Sequence, residues 1–228
     1  MIFHDRSEAG KFLARRLAHY AGQPDLLVLA LPRGGVPVAF EVAKGLEAPL
    51  DVFLVRKLGV PGHEELAMGA IASGGVVVLN EEMLGGLGIP DYMIQNVAER
   101  ELQELKRRED VYRADLPEID VHGRTVILVD DGLATGSTMR AAAQALRKQS
   151  PKRLIVAVPV GAPDTCDEFR CETDEVICAV APEEFHAVGL WYEDFSQTSD
   201  EEVQWLLEEA ARWAPAHTAE QSSYITRS

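Results

Sequence analysis

Long apolar runs are absent from this chain of 228 residues, in which no stretch approaches the roughly 18 residues of a membrane-spanning helix. The opening MIFHDRSEAG also lacks the basic-then-apolar pattern of a signal peptide. Basic side chains are scarce, because 22 Lys and Arg face 37 Asp and Glu, giving a formal net charge of −15. Such an acidic chain repels phosphate backbones and anionic membranes at long range, so neither nucleic acid nor a membrane surface is an expected partner.

Cysteine is scarce as well. Cys166, Cys171 and Cys178 are too few and too unevenly spaced for a disulfide framework, and their spacing matches no CxxC zinc pair. Buried or half-buried thiols in a reducing compartment are the simpler interpretation. The composition, 46% hydrophobic and 26% charged, is that of a globular domain long enough to bury a core. These features together predict a cytoplasmic protein.

Short apolar runs alternate with helical patterns along the chain. The runs are DLLVLALP (25–32), DVFLVRK (51–57), TVILVDD (125–131), RLIVAVPVG (153–161) and EVICAVAP (175–182). The clearest helical patterns lie at 7–20, 91–114 and 199–213, with Ser7 and Ser199 as the expected caps of the first and last. The alternation predicts an α/β fold with a Rossmann-like, mostly parallel central β-sheet flanked by helices.

Two segments do not follow the alternation. The stretch 59–75 contains several glycines and is predicted to be a mobile loop. The residues after Pro215 are polar, and 214–228 is predicted to be a flexible tail. No internal repeat divides the chain, so residues 1–213 are expected to form one domain.

The run 125–131 ends in two acids, Asp130 and Asp131, and a small-and-hydroxyl loop leads from them into a helix. Helix N-terminal amides and hydroxyls suit a phosphate, and the loop residues that would supply them are Ala134, Thr135, Gly136, Ser137 and Thr138. Carboxylates would repel a bare phosphate, but they accept hydrogen bonds from vicinal sugar hydroxyls and ligate magnesium. The pattern therefore favours a phosphorylated sugar over a simple capped helix, and it matches neither a Walker A loop nor GxGxxG.

The segment VILVDDGLATGST (126–138) resembles the phosphoribosyl-pyrophosphate (PRPP) motif of the type I phosphoribosyltransferases. Gly132 departs from the aliphatic residue that is usual after the acids. The resemblance covers about residues 5–200. It implies the type I fold with a small C-terminal hood (about 183–200), and transfer of the 5-phosphoribosyl group of PRPP to a nitrogen nucleophile, expected to be a nucleobase, with Mg²⁺ as cofactor and pyrophosphate released. Dimers are common in this family, which makes a homodimer an expectation.

The resemblance also assigns a pyrophosphate site. LPRGG (31–35) is similar to the family's pyrophosphate loop, in which a cis peptide is common, although a plain turn would explain it too. The basic pair at 56–57 resembles the one that precedes the family's flexible loop. The implied pyrophosphate-binding residues are Arg33, Gly34, Gly35, Arg56 and Lys57.

The predicted loop at 59–75 would then close over the reacting centre and exclude water. Glu64 or Glu65 would act in it as a base or as a charge partner of the cationic transition state. A pair of solvated glutamates is the competing interpretation, and His63 beside them is more typical of a surface residue.

The segment FHAVGLWYEDF (185–195) resembles the hood of purine phosphoribosyltransferases. Trp191 and Tyr192 are the candidates for stacking on the base, although core packing is the commoner role of such aromatics. Asp130 and Asp131 are the candidate magnesium ligands, and Glu193 or Asp194 would contact the ion through water. At Ala134 the motif is closer to adenine enzymes than to hypoxanthine–guanine enzymes, but the rest of the chain is closer to a bacterial group whose acceptor is not settled.

A non-catalytic PRPP- or nucleotide-sensing regulator on the same fold is the alternative. The acidic last helix, with glutamates at 201, 202, 208 and 209, would offer such a regulator a protein-binding face, although a solvated helix face has the same pattern. The predicted flexible loop favours catalysis instead, because a sensor has little need of Glu64, Glu65 or Lys57. A hydrolase with an aspartate nucleophile fits poorly, because Asp130–Asp131 lacks the DxDx[TV] pattern.

Overall fold

The computed structural model describes residues 1–80, 84–86, 88–113 and 120–213, except the side chains of Glu64, Glu65 and Trp213. The predicted tail, 214–228, lies outside the described residues. The strands are β1 (Leu26–Ala30), β2 (Leu50–Val52), β3 (Val55–Val60), β4 (His63–Ala72), β5 (Val76–Leu79), β6 (Thr125–Val129), β7 (Arg153–Val160) and β8 (Glu175–Val180). The longer helices are α1 (Arg6–Arg16), α2 (Gly35–Leu46), α3 (Asp91–Arg113), α4 (Ser137–Lys148), α5 (Pro163–Glu172) and α6 (Asp200–Trp213).

A five-stranded parallel sheet in the order β2-β1-β6-β7-β8 forms the centre and confirms the predicted α/β class. Its inner strands β1 and β6 are buried along their whole length, as their continuous apolar sequences predict. Alternate residues of β1 enter different core layers. Leu26 and Val28 pack with helices α1, α2 and α6, whereas Leu27 and Leu29 pack with α4 and α5. The sheet is therefore covered by helices on both faces, and its carboxyl edge remains for ligands.

The run 51–57 is not the single strand that was predicted. Its first residues lie in β2 of the central sheet, and residues from Val55 onward form β3 of a separate antiparallel sheet, β3-β4-β5. The predicted mobile loop at 59–75 is also wrong, because most of it is the ten-residue strand β4. A two-residue turn, Pro61–Gly62, joins β3 to β4, and its glycine has a φ of +81°.

Gly69 in this segment allows two strands to pack closely. A Cβ on Gly69 would lie 2.4 Å from the carbonyl oxygen of Val78 on the neighbouring strand. Met68 and Ile71 are buried on either side of it. The glycines that indicated a loop thus include one that lets two strands approach, a role that glycine content alone does not reveal.

Of the two predicted helix caps, Ser199 is confirmed and Ser7 is wrong. The Ser199 hydroxyl accepts a hydrogen bond from the Glu202 amide at 3.2 Å, which confirms it as the cap of α6. The cap of α1 is Asp5, not Ser7, because the Asp5 carboxylate accepts from the Glu8 amide at 2.8 Å. The Ser7 hydroxyl donates instead to Glu41 of α2 at 2.7 Å.

All three cysteines are free thiols. Cys166 is buried and Cys178 is half-buried, as predicted, whereas the prediction is wrong for Cys171, which is exposed. Within the described ranges, no helix has the length and apolar character needed to cross a membrane.

Candidate active site

The acid pair follows β6 at the carboxyl edge of the central sheet. The Asp131 amide donates to the Asp130 carboxylate at 2.8 Å. The predicted pyrophosphate loop lies directly against this pair, because a Cβ on Gly34 would be 2.1 Å from Asp131 Oδ2 and one on Gly35 would be 2.9 Å from Asp130 Cα. Both glycines are therefore required by close contact, and two motifs that are about a hundred residues apart in sequence share one site.

The loop is also tied to the sheet through its backbone. The Leu31 amide donates to the carbonyl of Val129, the last residue of β6, at 2.9 Å. The Gly35 amide donates to the Leu31 carbonyl at 3.1 Å as α2 begins. The peptide bond between Pro32 and Arg33 is cis, as is common in the loop that this motif resembles.

Arg6 is a member of the site that the sequence did not indicate. Its Nε and Nη2 both lie 2.9 Å from Asp131 Oδ2, and its Nη1 donates to the carbonyl of Ser196 at 2.7 Å. The guanidinium carbon also lies 4.0 Å from the ring centroid of Phe195. One residue of α1 therefore links the acid pair to the segment predicted as the hood.

The two acids differ in their electrostatic surroundings. Burial raises the pKa of Asp130 well above its usual value, and the negative charge of Asp131 raises it further. Burial also raises the pKa of Asp131, but the Arg6 guanidinium opposes this effect. We therefore expect a proton shared by the pair to reside on Asp130, while Asp131 carries the charge that pairs with Arg6.

The predicted phosphate loop ends at the N-terminus of α4. Gly136 has a φ of +69°, and a Cβ there would lie 2.6 Å from the Phe169 ring, so glycine is required both by conformation and by space. The Thr165 hydroxyl donates to the Ala134 carbonyl at 2.7 Å and holds the loop on α5. Thr135, Ser137 and Thr138 are exposed, and no described side chain caps the helix. The first amides of α4 are thus available to an anion.

Gly132, which departs from the resembled motif, packs against the predicted hood. A Cβ at this position would lie 2.4 Å from Cγ1 of Val188. The space of the usual aliphatic side chain is filled by Val188 from another segment. The departure therefore removes no polar group from the site.

The two predicted stacking residues are packed inside the hood segment. Tyr192 is buried, its hydroxyl donates to the Asp131 carbonyl at 2.6 Å, and its ring lies 5.8 Å from that of Phe3. Trp191 is partly buried in the same apolar cluster. Phe195 has the more exposed ring, 37% accessible, and it carries Arg6 on its face. Sequence reasoning missed Phe195, although it ends the same aromatic segment.

Glu193 and Asp194, the acids predicted to contact magnesium from the hood, lie at the surface. Glu193 Oε2 is 3.0 Å from Nδ1 of His4, and this hydrogen bond raises the pKa of His4. The Asp194 carboxylate accepts from the Ser196 amide. Among the described residues no group of three or more acidic, His or Cys side chains is arranged to hold a metal ion. The carboxylates of Asp130 and Asp131 suit an Mg²⁺ ion whose other ligands are substrate oxygens and water.

The predicted pyrophosphate cations are not gathered at one point. Arg33 Nη1 lies 3.7 Å from Asp200 at the start of α6. Arg56 forms a double contact with the buried Glu101, at 2.8 and 2.6 Å. Lys57 is exposed, and as the next residue of β3 it points to the opposite face of the small sheet.

The remaining predicted residues lie at the start of β4. The backbone of Glu64 and Glu65 belongs to this strand, whereas their side chains are outside the description. His63 is exposed and lies beside the Pro61–Gly62 turn.

The fold and the rim of acidic, glycine and hydroxyl groups point to a phosphoribosyl transferase domain. The family model for the phosphoribosyl transferase domain matches residues 4–187. The chain belongs to this family, and its five-stranded sheet with flanking helices is the type I fold.

Two relatives illustrate the match. A protein known from two Mycobacterium tuberculosis strains, whose name marks a phosphoribosyl transferase activity as unproven, is 47% identical over 211 residues, which is 92% of this chain and 47% of the relative. The chain thus spans about half the length of these curated relatives. The crystal structure of TT1426 from Thermus thermophilus is 42% identical, with a TM-score of 0.82 over 94% of this chain and 100% of that one.

Proposed function

We propose that this chain transfers the 5-phosphoribosyl group of PRPP to a nitrogen nucleophile, expected to be a nucleobase, and releases pyrophosphate. One observation carries the proposal: the close contact of Gly34 and Gly35 with Asp130 and Asp131. This contact sets backbone groups suited to a diphosphate beside carboxylates suited to a ribose diol. The uncapped N-terminus of α4, which continues from the same strand end, suits the 5-phosphate.

The residues have separate roles in this proposal. Thr135, Gly136, Ser137 and Thr138 hold the 5-phosphate, with Ala134 in the same loop. Asp131 accepts hydrogen bonds from the ribose hydroxyls. Its negative charge also stabilises the oxocarbenium-like ribosyl group that forms as the anomeric C–O bond breaks. Arg33 and the Gly34–Gly35 backbone hold the departing pyrophosphate. Of the basic pair on β3, Arg56 and Lys57, only one side chain faces it, because successive residues of a strand point to opposite faces.

Arg6 supports this arrangement by holding Asp131 at a fixed position and in its charged form. Phe195, the exposed ring beside Arg6, is the proposed platform for the acceptor base, in place of Trp191 and Tyr192. Glu64 and Glu65 remain candidates for a charge partner of the ribosyl cation. Residues 183–200 act as the hood, and Val188 anchors them on Gly132.

Magnesium is the proposed cofactor. Asp130, with Asp131 and water-bridged Glu193, would hold the ion together with the substrate. When bound, Mg²⁺ supplies charge neutralisation for the diphosphate oxygens. A homodimer is the proposed assembly.

Isothermal titration with PRPP, in the presence and absence of Mg²⁺, tests the proposal. We expect magnesium-dependent binding by the wild-type protein and its loss in the double variant Asp130→Asn/Asp131→Asn. The matched control is Asp167→Asn/Glu168→Gln, which removes two neighbouring charges from the exposed surface of α5 and should leave binding intact. A folded wild-type protein that binds no PRPP would refute the proposal.

A screen of purine and pyrimidine bases with pyrophosphate detection then identifies the acceptor. Pyrophosphate released only when PRPP and one base are both present establishes a transferase. PRPP binding without pyrophosphate release across the whole screen would favour the PRPP-sensing regulator instead.

A further inference from the structure

A cavity of about 200 Å³ lies beside the predicted pyrophosphate loop, and three arginines line it. Arg33 comes from the loop itself, and Arg107 and Arg108 come from the long helix α3. The rest of the lining is Val111, Tyr112 and Asp200. In a chain with a net charge of −15, three guanidinium groups around one small cavity form a local site for an anion.

An internal carboxylate already occupies this cation cluster. Asp200, at the start of α6, lies 3.7 Å from Arg33 Nη1 and accepts a hydrogen bond from the Tyr112 hydroxyl at 2.7 Å. Tyr112 is buried, and burial together with the Asp200 hydrogen bond raises its pKa to about 12. The phenol is therefore protonated at neutral pH and acts as a fixed donor toward whichever anion is present.

Internal carboxylates balance the positive charge of the cluster as long as Asp200 is part of it. Glu104 accepts hydrogen bonds from Arg107 at 2.8 Å and from Arg108 at 3.0 Å. Against the three arginines stand Glu104, Asp200 and Glu201, which also interacts electrostatically with Arg33, so the cluster has no net charge while Asp200 is charged. Without the charge of Asp200 the cluster has a net charge of +1, which favours an anionic ligand.

The cavity also adjoins the phosphate loop. Arg108 and Tyr112 line a second, smaller cavity of about 40 Å³, whose other walls include Pro32, Arg56 and Thr138. Arg108 and Tyr112 thus stand between the arginine cluster and the first turn of α4. A ligand held at the α4 N-terminus by one phosphate would have its other anionic groups within reach of this boundary.

We propose that Arg33, Arg108 and Tyr112 bind the diphosphate group of the substrate, and that Asp200 is an internal competing anion that the diphosphate displaces. The inference rests on the proposed function, which it extends to residues of α3 and α6. Arg107 lies on the outer side of the same cluster and adds to its positive charge.

Two substitutions with opposite expected effects test the inference, with inorganic pyrophosphate plus Mg²⁺ as the titrated probe. Asp200→Asn removes the competing charge and should tighten pyrophosphate binding several-fold. Arg108→Gln removes a charged donor and should weaken it roughly tenfold. Arg108→Lys, which keeps the charge without the fork of donors, should fall between Arg108→Gln and the wild type.

The controls match each change in charge. Glu202→Gln removes a carboxylate from the same first turn of α6, and Lys106→Gln removes a cation from the same helix α3; both side chains are exposed and outside the cavity lining. Neither should alter the affinity for pyrophosphate. The gain in affinity expected of Asp200→Asn cannot arise from misfolding, which only weakens binding.

The outcomes separate this inference from the proposed function. Wild-type protein that binds PRPP, together with Asp200 and Arg108 variants of unchanged pyrophosphate affinity, would refute the inference alone. Weaker binding by Asp200→Asn would refute the competing role of Asp200. Wild-type protein that binds neither PRPP nor pyrophosphate would refute the proposed function, and the inference with it.

Discussion

Single residues at the rim act through partners that are distant in sequence. Arg6 contacts Asp131 across 125 positions and also binds the Ser196 carbonyl. A guanidinium with two nitrogens on one carboxylate oxygen offsets part of the cost of burying that charge. The Tyr192 hydroxyl also holds this residue, because it donates a hydrogen bond to the Asp131 carbonyl. The Asp131 carboxylate is therefore positioned by the first helix and by the predicted hood together.

Replacement of Arg6 tests this positioning. We expect Arg6→Gln to weaken PRPP binding by about tenfold, because a charge-assisted contact of this kind contributes on the order of 1.5 kcal/mol or more. Arg6→Lys should recover only part of the loss, because an ammonium neither binds Asp131 through two nitrogens nor stacks flat on Phe195. Titration with PRPP and Mg²⁺ measures both. Arg15→Gln, at an exposed position of α1, is the control, and equal affinities for the two Arg6 variants and the wild type would contradict the role.

The sequence predicted the acid pair and the loop at 134–138 because these residues form one contiguous strand-to-helix motif. It did not predict Arg6, Arg108 or Asp200. Each of these residues belongs to a helix whose charged positions have the pattern of an ordinary solvent-exposed face. Only the fold brings them to the carboxyl edge of the central sheet. Local patterns thus identify groups that a motif holds together, whereas partners supplied by other helices need the tertiary structure.

At the scale of elements, the central sheet was predictable and the small sheet was not. Buried parallel strands are continuous apolar runs, which the sequence shows directly. Strand β4 instead carries glycine and alanine where it packs between β3 and β5. Glycine is typical of loops, and alanine is uncommon in strands. The apolar run at 51–57 also crosses from one sheet to the other, which no periodicity indicates.

Substitution of Gly69 tests the strand assignment. A Cβ at this position would lie 2.4 Å from the Val78 carbonyl, so Gly69→Val should separate β4 from β5 and lower the free energy of unfolding by about 1–3 kcal/mol. Urea denaturation measures the loss. Gly85→Val is the control, because a Cβ there meets nothing within 4 Å. Equal stability of the Gly69 variant and the wild type would support the loop that the sequence first indicated.

At the scale of the whole molecule, the acidic chain concentrates its charge contacts where segments meet. Asp51 is the most buried example: it lies in the central sheet, 2.9 Å from Arg113 at the end of α3. The contact joins the edge strand of the sheet to the helix that also carries Arg107 and Arg108. Burial outweighs the attraction of Arg113 and raises the pKa of Asp51 to about 6.

This raised pKa gives the stability of the molecule a definite pH dependence. Between about pH 4 and pH 6 the folded protein keeps a proton on Asp51 that the unfolded chain releases, so stability falls as pH rises through that window, by about 2–3 kcal/mol at most. Asp51→Asn should remove this part of the slope, because an amide does not titrate in this window. Urea denaturation at about pH 4.5, 5.5 and 7 compares the slopes. Asp120→Asn, at an exposed position that lines the same cavity as Asp51, is the control. A slope in Asp51→Asn identical to that of the wild type would show that Asp51 is charged throughout the window and that Arg113 compensates its burial.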